Sequence, residues 1–349
     1  MMPRYLVLLL MGWALGLPML AQVVDRTNPI EPDAELPQAM SDIRMSPTPA
    51  DDSIPIVGPS EVVNGEGIRQ STPECPHTEG WITFRGGGRM FYETYGNPAH
   101  TPIILVHGHT LDRRMWDEQV AVLKEHYYVV TPDSRGYGKS ADPEEGYQFT
   151  HADDIIALMD SLHIERAHVV GLSMGGYVAG DLLALYPHRL LSSVMVSGEI
   201  ASSWAGPSTP KTASEVAKEK RTRHAWNEND DAYRRSRANS LVSIGGSKRE
   251  RMRTALTAIV MDWGLWQVKH STCRIYYARD AWRQFKASPP AMPFLIVYGD
   301  KERRQGYRSP MQNVAPQGQV VIINDCGHMV NMERPEEFNR VLMDFLRGL

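Results

Sequence analysis

The sequence predicts an α/β fold, a mostly parallel, doubly wound sheet with an inserted helical cap, and three observations predict it. Short apolar runs alternate with helical stretches from position 102 onward. The alternation stops near Ala201 and resumes at Phe294. A pair of β-rich runs joined by glycines precedes it all. Continuous apolar strands separated by helices belong to parallel sheets that are buried on both faces.

The elements follow in order. Arg4 and an uncharged stretch over 5–21, with Leu6 to Met11 at its centre, read as the start of a secretory signal peptide. The run is short for a span of about 20 residues, so cleavage after Ala21 and a secreted or periplasmic location are expected, with no membrane span in the mature chain. Positions 22–79 are rich in Pro, Asp, Glu, Ser and Thr without an apolar period, as expected of a disordered or extended tether. Two strands, 81–84 and 90–95, flank Arg85-Gly86-Gly87-Gly88-Arg89 as a hairpin. Strands are expected at 102–106, 128–131, 167–171 and 191–197, and helices at 115–124, 150–162 and 174–185. Strands at 294–298 and 320–323 and an amphipathic helix ending at Leu346 close the chain. The core is thus 80–200 plus 291–349, with the cap at 201–290.

Composition narrows the function. The chain has 349 residues, 42% of them apolar and 22% charged, enough for a large core. Its net charge of −4 lacks the basic signature of a nucleic-acid binder. Three cysteines make no disulfide framework and no zinc spacing. A Cys75 to Cys273 bridge is one arrangement, and buried free thiols, the preferred reading, are the other. Neither the triple glycine nor Gly136-Tyr137-Gly138-Lys139-Ser140 has P-loop spacing, and no HExxH cluster is present, so no nucleotide and no metal are expected.

The chemistry lies in Gly171-Leu172-Ser173-Met174-Gly175-Gly176, which follows a strand and opens a helix. That is the context of a G-x-S-x-G nucleophile elbow, in which residues two before and two after the serine must be small. The amide of Met174 is then poised to donate to an oxyanion. Ser173 needs a base, and of twelve histidines His328 follows the last strand, where open α/β sheets assemble their sites. His163, His168, His188 and His224 read as helix or helix-end residues. The base needs an acid, and three carboxylates follow strands: Asp300, Glu302 and Glu199. A second oxyanion donor is offered by the amide of His109, after His107-Gly108.

His107-Gly108, the loop Asp133 to Ser140, the Ser173 elbow, the Gly299 turn and Gly327-His328 together resemble the α/β-hydrolase superfamily, over positions 80–349. The order Ser, acid, His is similar too. Among its members the chain looks most like capped esterases, lactonases and cofactor-free haloperoxidase-like proteins. The resemblance implies a Ser-acid-His triad, an oxyanion hole and no cofactor. The fourth residue of the Gly299 turn is usually Asp in that family; here it is Glu302, which ranks first as the acid, ahead of Asp300 and Glu199.

The expected function is therefore a serine hydrolase acting on a small-molecule ester or lactone. Alternatives are the same triad working on an amide or C–C bond, a cofactor-free lyase, and a non-catalytic ligand-binding relative. Met174, Met329 and Trp204 are expected near the substrate, with Trp226, Trp263, Trp266, Tyr276, Tyr277 and Trp282 as further cap aromatics. Positions 211–253 carry twelve Lys and Arg against six Asp and Glu. Solvated helix faces explain that charge better than an anionic substrate does. The sequence leaves the oligomeric state open.

Overall fold

The computed structural model describes residues 77–84, 88–143, 149–200, 229–269 and 280–349. The signal peptide, nearly all of the tether, Cys75, Cys273 and Trp204 therefore lie outside the described residues. Cys326, within them, is a buried free thiol.

Eight strands form one sheet in the order β1-β2-β4-β3-β5-β6-β7-β8. The hairpin comprises β1 (His77–Thr83) and β2 (Arg89–Tyr95), paired antiparallel. β1 starts three residues before the boundary expected at position 80, because His77 still pairs with Tyr95 across the hairpin. β2 also runs antiparallel to β4 (Tyr128–Pro132). The remaining pairs are parallel: β3 (Pro102–Val106), β5 (Ala167–Leu172), β6 (Leu190–Val196), β7 (Phe294–Gly299) and β8 (Gln319–Ile323). His168 lies on β5 rather than at a helix end, its Nδ1 2.8 Å from Ser192 Oγ of the neighbouring strand. The chain moves outward from β3 to β4 and then returns to β5, so the order reverses between β3 and β5. Clefts open at such switch points, beyond the carboxyl ends of the strands.

The strands are buried on both faces, and their side chains alternate between two cores, as a pleated strand requires. Ile103, Leu105, Val170, Val194 and Leu295 pack on one face with Trp116, Phe338 and Leu342. Ile104, Val106, Val169, Met195 and Ile296 pack on the other with Leu158, Leu182 and Phe285. The helices that pack on the sheet include α1 (Asp117–Leu123), which adds Val120 and Leu123 to the first core, and α2 (His151–Ser161) and α3 (Met174–Leu185), which supply Leu158 and Leu182. The first begins later than the sequence implied, because residues Arg113–Trp116 form a 3-10 turn held by the Asp112 side chain.

Between β6 and β7 the described residues form α4 (Asp230–Ser243), α5 (Arg253–Met261), α6 (Trp266–Lys269) and α7 (Ala281–Ala287). Leu241, Val242, Leu256, Ile259 and Val260 join the first core, so this insertion is packed into the domain. Its charges include exposed ion pairs such as Arg253 with Glu250 and Arg234 with Asp231, the behaviour of solvated helix faces. After β7 come α8 (Pro310–Val314), α9 (Val330–Glu333) and α10 (Pro335–Arg347). No described helix is long and apolar enough to cross a membrane.

Candidate active site

Ser173 stands alone between the last residue of β5 and the first of α3, with φ +55° and ψ −109°. A non-glycine residue at such φ is strained and persists only where its surroundings dictate it. Here the surroundings are backbone. A Cβ on Gly171 would sit 1.9 Å from the Gly175 carbonyl oxygen, and one on Gly175 would sit 2.0 Å from the Val106 carbonyl oxygen. The two glycines let β3, β5 and α3 touch, and the turn follows. The Ser173 amide donates to the Val196 carbonyl at 2.8 Å, tying the elbow to the end of β6. Ser173 is only partly buried, and the amide of Met174 occupies the first turn of α3, where no intrahelical acceptor exists.

The loop after β3 faces this helix start. His107 is fully buried, with Nδ1 2.9 Å from the Gly108 carbonyl and Nε2 accepting from the Ser134 amide at 2.9 Å. Those partners assign the proton to Nδ1, and burial, the largest influence, pushes its pKa down and keeps the ring neutral. The Gly108 amide is taken by Met115 Sδ at 3.3 Å. The next amide, that of His109, has no acceptor among the described residues. Among the described residues, the two amides expected to form the oxyanion hole are thus both without an acceptor, one in the loop after β3 and one at the start of α3.

The His109 ring is a feature that the sequence reading, concerned with its amide, passed over. Its Nδ1 lies 2.6 Å from the Tyr137 hydroxyl, and its ring meets Trp263 edge-on at 5.3 Å. Burial first, then the charge of Arg237, lowers its pKa to about 3, so the imidazole is neutral. Tyr137 comes from the Asp133 to Ser140 loop. Asp133 accepts from the Arg113 and Lys139 amides, each at 2.9 Å, and pairs with the Arg113 guanidinium. A Cβ on Gly138 would strike that carboxylate at 2.2 Å. Gly138 thus serves a carboxylate-centred turn, while a Cβ on Gly136 would meet the Gln267 side chain at 2.6 Å.

At the other end of the site, His328 Nδ1 lies 2.5 Å from Glu302 Oε1. Burial raises the Glu302 pKa, but His328, the Ser197 hydroxyl and Arg303 more than offset it, and the net shift is downward. The other two carboxylates are engaged elsewhere. Asp300 accepts the Cys326 amide at 3.0 Å. Glu199 is buried and accepts from the hydroxyls of Tyr298 at 3.0 Å and Tyr307 at 2.8 Å and from that of Ser309. Of the three candidates, Glu302 is the one placed on the imidazole.

Ser173 and His328 come from distant segments, and consecutive residues at the end of β6 hold both. Val196 accepts the Ser173 amide, Ser197 Oγ donates to the His328 carbonyl at 2.9 Å, and Gly198 backs onto the Ser173 carbonyl. Ser197 itself has φ +50°. No motif announced it, because its partners lie far away in sequence.

Around Met174 a small cluster of Tyr137, Trp263, Leu265, Val268 and Tyr233 brings insertion residues over the elbow. Met329 belongs instead to the first core and is fully buried. Trp266 is buried, and Trp282 stacks on Phe285 as packing. Trp226, Tyr276 and Tyr277, like Trp204, lie outside the described residues. His77, Glu79 and Glu93 could offer three metal ligands within 4.8 Å of one another. Both carboxylates, however, already pair with cations, Glu79 with Lys139 and Glu93 with Arg113.

Known proteins resemble this chain in the same regions. A match to a family described as the Alpha/beta hydrolase family covers residues 103–341. 3-Oxoadipate enol-lactonase 1 of Acinetobacter baylyi is 26% identical over 282 residues, 77% of this chain and 97% of the relative. Non-heme chloroperoxidase of Streptomyces lividans is 34% identical over 121 residues, 34% of this chain and 44% of the relative. Among solved structures, a thermophilic esterase from Thermogutta terrifontis has a TM-score of 0.60 at 23% identity, covering 78% of this chain and 98% of its own. The enol-lactonase from Burkholderia xenovorans LB400 has a TM-score of 0.57 at 24% identity, covering 76% and 99%.

Proposed function

The chain belongs to the alpha/beta hydrolase family, and from that premise we propose that it is a serine hydrolase opening a carboxylic ester or lactone through an acyl-enzyme on Ser173. The observation that carries the reading is the 2.5 Å contact of Glu302 with His328 Nδ1. With the ring proton on Nδ1, Nε2 is the basic nitrogen left for Ser173. The strained elbow and the unengaged amides of Met174 and His109 support the same assignment. The name of one relative that matches 77% of this chain, an enol-lactonase, supports an ester-type bond.

In this mechanism His328 Nε2 takes the hydroxyl proton of Ser173 as Oγ attacks the carbonyl. Negative charge collects on the carbonyl oxygen and is met by the two amides, aided by the positive end of α3. As the tetrahedral intermediate collapses, His328 gives its proton to the departing alkoxide. It then draws a proton from water, which attacks the acyl-enzyme and frees the acid and Ser173. Glu302 holds the imidazole in the required tautomer and steadies its positive charge. Ser173→Ala should abolish hydrolysis of short p-nitrophenyl esters while circular dichroism stays unchanged; full retained turnover would remove the nucleophile. A panel of esters, lactones, amides and β-diketones then identifies the bond cleaved.

A further inference from the structure

Glu333 is fully buried on α9, and the mechanism does not use it. A buried carboxylate is costly unless its oxygens are bonded, so its partners reveal what it was placed to hold. They belong to two different segments. Oε1 accepts the amide of Gly246, just beyond the end of α4, at 2.6 Å. Oε2 accepts the amide of Gly327, the residue before His328, at 2.8 Å. A carboxylate that merely capped its own helix would take amides from its own first turn.

The two segments meet backbone to backbone around it. A Cβ on Gly246 would lie 2.1 Å from the Asp325 carbonyl oxygen, and one on Gly327 would lie 2.3 Å from the Ile244 carbonyl oxygen. Neighbouring bonds seal the edge: Asp325 accepts the Ser247 amide at 3.0 Å, and the Arg334 guanidinium donates to the Asp325 carbonyl at 3.0 Å. The His328 ring is held by Glu302, its carbonyl by Ser197, and the amide of the preceding residue, Gly327, by Glu333.

We propose that Glu333 is a positioning residue that clasps the end of α4 to the Gly327 peptide and thereby fixes His328 for proton transfer, making the insertion part of the catalytic geometry. The inference rests on the reading of His328 as the base. Displacements of about 1 Å cost up to about 100-fold in rate when reacting groups must be aligned.

The test compares wild type, Glu333→Gln, Glu333→Asp and His328→Ala. Glutamine keeps the volume but turns an NH2 group toward one of the two amide donors. Aspartate keeps the charge but is one methylene too short to reach both. Expected for Glu333→Gln is a fall in kcat of about 10- to 100-fold with KM within about 2-fold, and an equal slowing of fluorophosphonate labelling of Ser173 per folded molecule. Glu333→Asp should lie between it and wild type, and it carries the test should the glutamine variant fail to accumulate. A melting temperature that falls while the labelling rate stays at the wild-type value, with His328→Ala slow, overturns the clasp alone. Labelling of His328→Ala at the wild-type rate overturns the base assignment and the clasp together.

Discussion

The two halves of the site share close backbone packing and differ in how much side chains add to it. The nucleophile half, from β3 and β5, is shaped by backbone pressed on backbone: Gly171 and Gly175 are there because no Cβ fits, and Ser173 is strained in consequence. The His328 half, from β7 and β8, also presses backbone on backbone at Gly299, Gly246 and Gly327, but side chains hold it in addition. Glu302, Ser197, Glu333 and Arg334 reach across the fold to hold one loop. Steric necessity leaves a mark within a few residues of sequence. A hydrogen-bonding clasp leaves its marks on chain segments far apart.

This difference can be broken at either half. The largest effect should come from Glu302→Gln, which keeps size but presents the wrong partner to Nδ1. By analogy with an asparagine in place of a triad aspartate, kcat should fall about 10,000-fold, roughly 5 kcal/mol of barrier, with the circular dichroism spectrum unchanged. Turnover within tenfold of wild type would place the acid elsewhere, with Glu199 the next residue to substitute. At the other half the expectation is reversed, with stability lost before chemistry. Gly175→Ala should cost about 3 kcal/mol in urea denaturation, because the obstacle is the Val106 backbone. Gly176→Ala, where a Cβ would lie 3.0 Å from the Val196 carbonyl oxygen, should cost about 1 kcal/mol. Equal costs would mean that the elbow yields more easily than its contacts imply.

The same contrast explains what could be read from the sequence. The doubly wound sheet was legible because each parallel strand is a local apolar run, and Ser173 because its glycines lie two residues away. His328 was legible from its place after the last strand. The choice among Glu302, Asp300 and Glu199 was open on the residues alone, since all three follow strands, and only folding shows that Asp300 turns to the Cys326 amide and Glu199 to the hydroxyls of Tyr298, Tyr307 and Ser309. Glu333 carries no local signal of its role, because its partner Gly246 lies 87 positions away. His168 belongs to the apolar run 167–171 that reads as a strand, and the strand, not the helix end, is its place, with Ser192 partnering its ring.

A smaller effect sharpens the description of the base half. The folded pKa of Glu302 lies below its ordinary value of 4.5, the pull of His328, Ser197 and Arg303 outweighing burial. A depressed acid contributes stability that is complete above its unfolded pKa and is lost as pH falls through its folded pKa. The stability difference between wild type and Glu302→Gln should therefore be constant near neutrality and shrink below about pH 4.5. Thermal melts of both proteins between pH 7 and pH 3 measure it. A difference that grows on acidification would show that the folded protein raises this carboxyl.

The smallest effect concerns another way in which the insertion is fastened to the core. Arg251 bonds Glu118 at 2.9 Å and Glu336 at 2.8 Å, one on α1 and the other on α10, so it too bridges distant segments. Its side chain is 39% exposed, whereas Glu333 is sealed away. Water and salt screen an exposed pair, and the long side chains lose entropy in forming it, so each contact contributes only about 0.2–1 kcal/mol. Arg251→Ala should lower stability by about 1 kcal/mol or less, lose most of that effect in 0.5 M salt, and leave kcat unchanged. A fall in kcat matching that of Glu333→Gln would mean that any tether between insertion and core aligns His328. Unchanged turnover would locate the coupling in the fully buried carboxylate between Gly246 and Gly327, where two amides depend on one side chain.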